Sequence, residues 1–360
     1  MNKKIVLVPA GGKSSRFIGD SPKMMRTHPQ GKLLIEKALE TFNDIDIDKI
    51  FLITTKDIID NNDLQIKFKQ AFNNKVELIE LPIQTNSSVQ TIYEGVKVIG
   101  SRISLDDSIF IKDVDNFVTF DFNNFDFGTS ASIGYSVSKG GLSRLSNKSF
   151  FKLENNLIID FVEKKIVSNY ISVGTHYFKN LAEFMVPAGE LLKLCNENSS
   201  ELYISHVLAK NIYEGIIYKY YEADLYNDFG TQKEWEDERK KFKTIFCDFD
   251  GTLVKNIGKF GKITWADHSD VILKNNMNLL KNLHENGSQI IITTSRPKSE
   301  KIHINNLLND VGIQVHEIIC DLNHSQRILI NDFNTTNIYP TALAINIKRN
   351  NDLTDYINDF

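Results

Sequence analysis

The sequence predicts an α/β protein of two domains. Short β-branched runs alternate with helix-like stretches from Ile5 to Ile111, the rhythm of βαβ units around a mainly parallel sheet. The same pattern restarts at Thr244, after the charged run Lys233–Lys243, KEWEDERKKFK. A chain of 360 residues also has room for two units of about 150 residues each.

Taken in order, Ile5–Val8 reads as a buried strand and Leu33–Phe42 as a helix. A strand at Ile50–Thr54, a helix around Leu64–Phe72, a strand at Val76–Leu81 and a helix at Val89–Ile99 lead to a strand at Ile109–Ile111. Lys233–Lys243 is too charged for a core and reads as an exposed helix passing into a linker at 237–243. The second unit opens with a strand at Thr244–Cys247. It continues with a helix at Val271–Glu285, a strand at Gln289–Thr293 and a further strand-like run at Ile328–Ile330. Ligands of such folds sit at the carboxyl ends of the strands, so the residues after each strand carry the functional argument.

Hydrophobic residues make up 41% and charged residues 24%, the balance of a globular protein with a sizeable core. A net charge of −4 gives no general attraction to nucleic acid or anionic membrane, so an anionic substrate has to be met by local cations. Cys195, Cys247 and Cys320 stand far apart without a CxxC pair, which argues against a disulfide framework or structural zinc. No apolar run approaches the length of a membrane span, and the apolar run in MNKKIVLVPAGG is too short for a signal peptide. The chain reads as cytoplasmic, with self-association left open.

The first strand breaks into Ala10-Gly11-Gly12 and then Lys13-Ser14-Ser15-Arg16, with Pro22-Lys23 beyond. Glycine lets the backbone turn tightly and approach a ligand. Such a loop can aim N–H groups at phosphate oxygens while Lys13, Arg16 and Lys23 neutralise charge. It lacks the first glycine of GxxxxGK[ST], where Leu7 stands, and the spacing of GxGxxG. An ordinary Gly/Ser turn is the bland alternative. After Ile111 comes Lys112-Asp113-Val114-Asp115. Carboxylates one residue apart point the same way and suit Mg²⁺, which takes one or two carboxylates plus substrate phosphates. A hydrated Asp/Asn turn would look similar.

These residues resemble the opening of sugar-phosphate nucleotidyltransferases, A-G-G-x-G-x-R-h…P-K. Ala10, Gly11, Gly12, Arg16, Phe17, Pro22 and Lys23 fit, and Ser14 replaces a later glycine. Pro82–Thr91, with Thr85, Ser87 and Ser88, resembles the family's polar turn before a helix, although a helix cap explains it equally well. Glu163-Lys164, Gly174-Thr175-His176-Tyr177-Phe178, Glu201-Leu202-Tyr203 and Asp224–Trp235 follow in the family's order, with Tyr226 where a tryptophan is usual. The resemblance implies a Rossmann-like (GT-A-like) mixed sheet over residues 1–236. It implies transfer of a nucleotidyl group from an NTP to a phosphorylated sugar or polyol, with release of pyrophosphate. Arg16 and Lys23 would then hold the triphosphate, while Ala10 to Ser14 and the turn with Thr85, Ser87 and Ser88 meet the nucleotide. Glu163, Lys164, Gly174 and Glu201 would hold the sugar phosphate, and Asp113, Asp115 and Asp228 would hold Mg²⁺. The compact AGGKSSR loop leans towards CTP.

The run Thr244-Ile245-Phe246-Cys247-Asp248-Phe249-Asp250-Gly251-Thr252-Leu253 resembles motif I of the haloacid-dehalogenase (HAD) phosphohydrolases. There an aspartate at a strand end attacks phosphorus, and the aspartate two residues on serves as acid and then base. Thr294, with Ser295 beside it, resembles motif II and would bind the phosphoryl group. Arg327 stands for the motif III cation. Asn331-Asp332 resembles motif IV, so Asp248, Asp250 and Asp332 would share Mg²⁺, with Asn331 and Asn337 where a second acid is common. About 40 residues separate Thr252 from Thr294, and a similar number Thr294 from Asp332, too few for a cap. The resemblance implies a capless, doubly wound HAD-like domain over residues 244–360, preparing the acceptor or trimming the product, as in enzymes of bacterial surface-polysaccharide precursors. Two other readings stay open. The DxD also suits a nucleotide-sugar-dependent glycosyltransferase of related fold, and the second domain could be a non-catalytic binding or dimerisation module.

Overall fold

In the computed structural model, which describes residues 2–12, 22–60, 66, 72, 75–140, 145–195, 201–256, 268–332 and 341–356, the first apolar run forms strand β1 (Lys4–Pro9). Its side chains leave the sheet alternately. Val6 and Val8 join one apolar cluster, Ile5 and Leu7 another, so the strand is buried on both faces. Helix α1 (Leu34–Leu39), strand β2 (Lys49–Thr55), helix α2 (Lys56–Asp60), strand β3 (Val76–Leu81) and helix α3 (Ser88–Ile99) follow. Strand β4 (Ser108–Lys112) returns beside β1, giving parallel neighbours in the order β3-β2-β1-β4. The helix expected around Leu64–Phe72 lies largely outside the described residues.

Beyond β4 the sheet is mixed. Strands β5 (Asn116–Thr119), β6 (Ala131–Ser136), β7 (Ser149–Glu154), β8 (Leu157–Glu163) and β9 (Tyr170–Phe178) precede helices α4 (Ala182–Leu194) and α5 (Ile204–Tyr213). Strands β10 (Tyr218–Glu222) and β11 (Leu225–Asp228) end this part. Strand β9 runs antiparallel to both β4 and β6, and the order continues β4-β9-β6-β10-β8-β7. Asn155 and Asn156 join β7 to β8 with φ of 50° and 61°, the left-handed pair that a tight hairpin needs. Strand β11 pairs separately with β5. Parallel pairing therefore joins β1 to β4 and also β6 with β10, while the remaining neighbours are antiparallel.

The chain divides into two compact units, Met1–Glu234 and Trp235–Phe360, within helix α6 (Gln232–Lys241). That helix is not exposed throughout, since Trp235 and Glu238 are buried. In the second unit β12 (Thr244–Asp248), β13 (Gln289–Thr293) and β14 (Glu317–Ile319) form a parallel sheet in that order. Helices α7 (Lys274–Glu285) and α8 (Lys301–Asp310) supply Met277, Leu280, Ile304 and Leu308 to its core. Helix α7 starts at Lys274 rather than Val271, because Ile272 bridges Val254 and Val271 accepts from Lys255 N. The strand expected at Ile328–Ile330 is not formed. Ile328 and Ile330 are 78% and 89% exposed, and without a partner edge the run's apolar character does not make a strand. The three cysteines are free thiols. Among the described residues no helix is long and apolar enough to cross a membrane.

Candidate active sites

The loop after β1 is tied to its neighbours. Ala10 N donates to Ile53 O at 2.8 Å, and Ala10 O accepts from Thr54 Oγ1 at 3.0 Å. Gly11 passes so close to the segment after β3 that a Cβ would lie 3.1 Å from Thr85 Oγ1 and 3.3 Å from Thr91 Oγ1. Those two hydroxyls bond each other at 2.6 Å, and Gln84 donates to Gly11 O. Ser87 caps α3, its Oγ accepting from Gln90 N at 3.1 Å, and Ser88 is the first helical residue. Ala10, Gly11 and Thr85 thus meet beside the start of α3, with Gly12 adjoining. Lys13, Ser14 and Arg16, with Phe17, lie outside the described residues.

Asp113 follows β4 directly, and its N–H donates to Gly174 O at 2.9 Å. Strand β9 bulges at this point. Ile133 pairs with Thr175 but Gly134 with Ser172, which leaves Val173 and Gly174 as extra residues. Asp115 accepts from Lys23 Nζ at 2.6 Å, and the same ammonium donates to Gly230 O at 3.1 Å. Asp228, at the end of β11, accepts from Gly230 N at 2.8 Å and pairs with Lys148. A Cβ on Gly230 would lie 2.9 Å from Asp228 Oδ1 and 3.4 Å from Asp115 Oδ2, so the two carboxylates converge on this glycine. Lys112 is fully buried and donates to Asn116 Oδ1 and to the carbonyl of Asp113.

These charges divide unequally. Burial, with the Asp115 charge beside it, pushes the Asp113 carboxyl up to about 6, against the pull of Lys112, Lys23 and Lys148. Burial acts on Asp115 in the same sense, but Lys23, Lys148 and Lys112 overcome it and hold that carboxyl low. Burial pulls the Lys112 ammonium down to about 8. Asp113 therefore keeps a raised carboxyl although three lysines stand near it. Among the described residues no three acidic or histidine side chains gather as a metal cluster. Asp113 and Asp228 would hold Mg²⁺ with the remaining ligands from substrate phosphates.

Glu163 ends β8, where its Oε2 accepts from Ser149 Oγ and, at 2.7 Å, from Ser205 Oγ. Lys164 takes φ of 53°, donates to the Tyr203 hydroxyl and lies 4.1 Å from the centre of that ring. Tyr203 in turn donates to Glu201 at 2.6 Å. Glu163 is braced by two hydroxyls, while Lys164 and Glu201 meet through Tyr203 on an exposed rim.

In the second unit Asp248 ends β12, and its Oδ1 pairs with Arg327 at 3.1 Å. Burial raises this carboxyl, Arg327 opposes the rise and Asp250 adds to it. Gly251 turns the chain with φ of 93°, where a Cβ would meet Arg349 Cγ at 2.9 Å. Thr294 Oγ1 donates to Asp250 Oδ2 at 3.0 Å, and Arg296 donates to Asp250 Oδ1 at 2.7 Å. Ser295 is half-buried in the same turn. Asp332 is exposed and accepts from the Thr341 hydroxyl through its backbone carbonyl; Asn337 lies outside the described residues. Asp248, Asp250 and Asp332 form no metal cluster among the described residues, and both Asp250 oxygens are engaged by protein donors.

Among solved structures, the nucleoside-diphosphate-sugar pyrophosphorylase from Vibrio cholerae RC9 superposes with a TM-score of 0.55, at 20% identity, over 65% of this chain and 99% of its own. The inositol-1-phosphate CTP transferase from T. maritima gives 0.51 at 16% identity, over 66% and 96%. A UDP-glucose pyrophosphorylase complexed with UDP-glucose gives 0.50 at 18% identity, over 66% and 97%. The N-terminal unit has a nucleotidyltransferase-like fold. The haloacid dehalogenase-like hydrolase family model matches residues 245–351, so the C-terminal unit is HAD-like. No curated protein matches the chain.

Within the first unit, Lys23, Asp113, Asp115 and Asp228 come together, as do Glu163, Lys164 and Glu201 in a second group, whereas Gly174, expected with that second group, lies against Asp113. Sequence reasoning passed over Asn116 and Lys148, which belong to no quoted motif, and gave no role of their own to Lys112 and Tyr203, which stand inside two of them. In the HAD-like unit it assigned no role to Arg296 and missed Asp270. A buried guanidinium beside the second motif I aspartate is a relationship that only folding reveals.

Proposed function

We propose that the chain is a bifunctional enzyme. Its first unit transfers a nucleotidyl group, with CTP the preferred donor, to a phosphorylated sugar or polyol and releases pyrophosphate. Its second unit hydrolyses a phosphomonoester that precedes or follows that step. The carrying observation is the convergence of Asp113, Asp115 and Asp228 with Lys23, Lys112 and Lys148 beyond the carboxyl end of β4. Support for CTP comes from the short AGGKSSR sequence after β1 and the likeness of fold to a CTP transferase.

In the transfer step a phosphate oxygen of the acceptor attacks the α-phosphorus in line, and the bond to the leaving pyrophosphate breaks. No proton has to move at the reacting atoms, so the protein's work is positioning and charge neutralisation. Lys23 and Lys148 balance Asp115 and Asp228 and stand ready to meet phosphate oxygens. Lys164, aimed by Tyr203, holds the acceptor phosphate. When bound by Asp113 and Asp228, Mg²⁺ supplies further neutralisation at the phosphates.

In the second unit Asp248 attacks phosphorus while the leaving oxygen takes a proton from Asp250. Water then gives its proton to Asp250 and attacks the phosphoaspartyl phosphorus, which frees phosphate and restores Asp248. Together the two reactions suit the making of activated precursors for surface polysaccharide.

The test is a screen of the four NTPs and dTTP against sugar and polyol phosphates, with pyrophosphate detected in the presence of Mg²⁺. CTP should give the fastest release, and Asp113→Asn should abolish it while leaving phosphatase activity nearly intact. Equal loss of both activities in folded Asp113→Asn would sink the two-site reading. Sugar transfer from a nucleotide sugar, without NTP consumption, would favour the glycosyltransferase.

A further inference from the structure

Arg296 is 3% exposed, and its guanidinium is shared between two carboxylates. Towards Asp250, Nε donates to Oδ1 at 3.1 Å and more weakly to Oδ2 at 3.2 Å, while Nη2 donates to Oδ1 at 2.7 Å. Towards Asp270, Nη1 donates to Oδ2 at 2.9 Å and Nη2 to Oδ1 at 2.6 Å. The guanidinium carbon lies 4.8 Å from the centre of the Phe249 ring, which fixes its plane. Asp270 Oδ2 is also 2.9 Å from His303 Nε2, and His303 stacks on His268 with ring centres 4.0 Å apart. A chain of contacts therefore runs from Asp250 through Arg296 and Asp270 to His303.

Burying one cation between two anions is a poor way to gain stability, since desolvation offsets most of the attraction. What such a fork does well is fix direction, because the planar donors bind carboxylate oxygens at set angles. Asp250 Oδ1 takes the shorter guanidinium contacts. Oδ2, met by the rotatable Thr294 hydroxyl and only the longest of these contacts, is the less tightly held oxygen. We propose that Arg296, held in turn by Asp270 and His303, is a positioning residue that aims Asp250 Oδ2 at the leaving-group oxygen. This rests on the phosphohydrolase reading of the second unit.

The distinguishing measurement uses full-length protein in excess over substrate, so that alcohol released in one turnover reports the first step alone. The p-nitrophenolate ion leaves without a proton, whereas an alkyl phosphate such as glycerol phosphate needs one. Arg296→Lys and Asp270→Asn should slow alkyl ester cleavage about 100-fold, the scale of a lost general acid, and p-nitrophenyl ester cleavage less than about fivefold. His303→Gln should show the same selectivity at smaller size, and Asp250→Asn sets its full extent. Should Arg296→Lys fail to fold, Asp270→Asn, of matched shape, carries the test. Equal slowing of both esters in folded variants would overturn the positioning role and leave the phosphohydrolase standing. A wild-type chain inert towards both esters would overturn that parent reading and this one with it.

Discussion

Gly174 occupies the only kind of space that lets Asp113 stand where it does. A Cβ at Gly174 would lie 2.6 Å from Asp113 Cγ, and the residue's φ of 64° is in the region that side chains rarely adopt. The bulge in β9 and the carboxylate beyond β4 are one device. Gly174→Ala should displace the carboxylate and lower pyrophosphate release about 100-fold, as misplacement of roughly 1 Å does. Hydrolysis of p-nitrophenyl phosphate by the second unit serves as the control. A folded variant with the wild-type transfer rate would remove Asp113 from the reaction.

His176 offers a test of the fold beneath that site. It is buried between β4 and β6, its Nδ1 2.7 Å from Ser132 Oγ, and burial, with Lys112 nearby, pulls its imidazole down to about 3. The folded form therefore binds fewer protons than the unfolded form between that value and the ordinary one near 6.5. Stability is fully present above the upper value and is lost as pH falls through the window, by roughly 5 kcal/mol at most. Urea unfolding followed by circular dichroism should show wild-type protein weakening over this range and His176→Gln weakening less. Parallel pH curves for the two would place the titrating group elsewhere.

What the sequence made legible follows from what each residue needs. Ile5–Val8, Ile50–Thr54 and Ile109–Ile111 lie in strands covered by core on both faces, so their apolar runs are continuous and stand out. Strand β10, YKYYE, is only partly buried and mixes lysine with tyrosine, so no such run marks it. Asp113 and Asp228 lie in motifs because the chain must turn there. Lys148 is an isolated lysine that meets Asp228 only after β7 and β11 take their places in the fold. Asp270 likewise acquires its role only when folding sets it against Arg296. Ile328–Ile330 shows the converse, since apolar residues in sequence did not secure a partner edge.

The assignment of Lys164 to the acceptor has a direct test. Its ammonium is held by the Tyr203 hydroxyl, which Glu201 orients, on a different group of residues from the Lys23 and Asp115 pair. Lys164→Ala should raise the KM for the phosphorylated acceptor by about tenfold or more and leave that for the NTP nearly unchanged, since a charge-assisted contact of about 1.5–3 kcal/mol is lost on one side only. Tyr203→Phe should reproduce part of the effect. A rise confined to the NTP would reverse the assignment of this rim.

Asp248 carries the sharpest test of the second unit. It ends β12, with Arg327 3.1 Å from Oδ1 and Asp250 two residues on, and in the proposed reaction it attacks while Asp250 is held by Thr294 and Arg296. Asparagine at this position keeps the shape and removes the nucleophile. Asp248→Asn should therefore abolish phosphatase activity while nucleotidyl transfer stays within about threefold, because the carboxylates of the first unit are untouched. Beryllofluoride with Mg²⁺, a mimic of the phosphoaspartate, should bind the wild-type protein and not the variant, a readout independent of turnover. The exposed position of Asp332 makes this result informative either way. Wild-type protein that neither binds beryllofluoride nor hydrolyses a broad panel of phosphate esters, its own nucleotide product included, at millimolar Mg²⁺ would decide for a binding module in place of an enzyme.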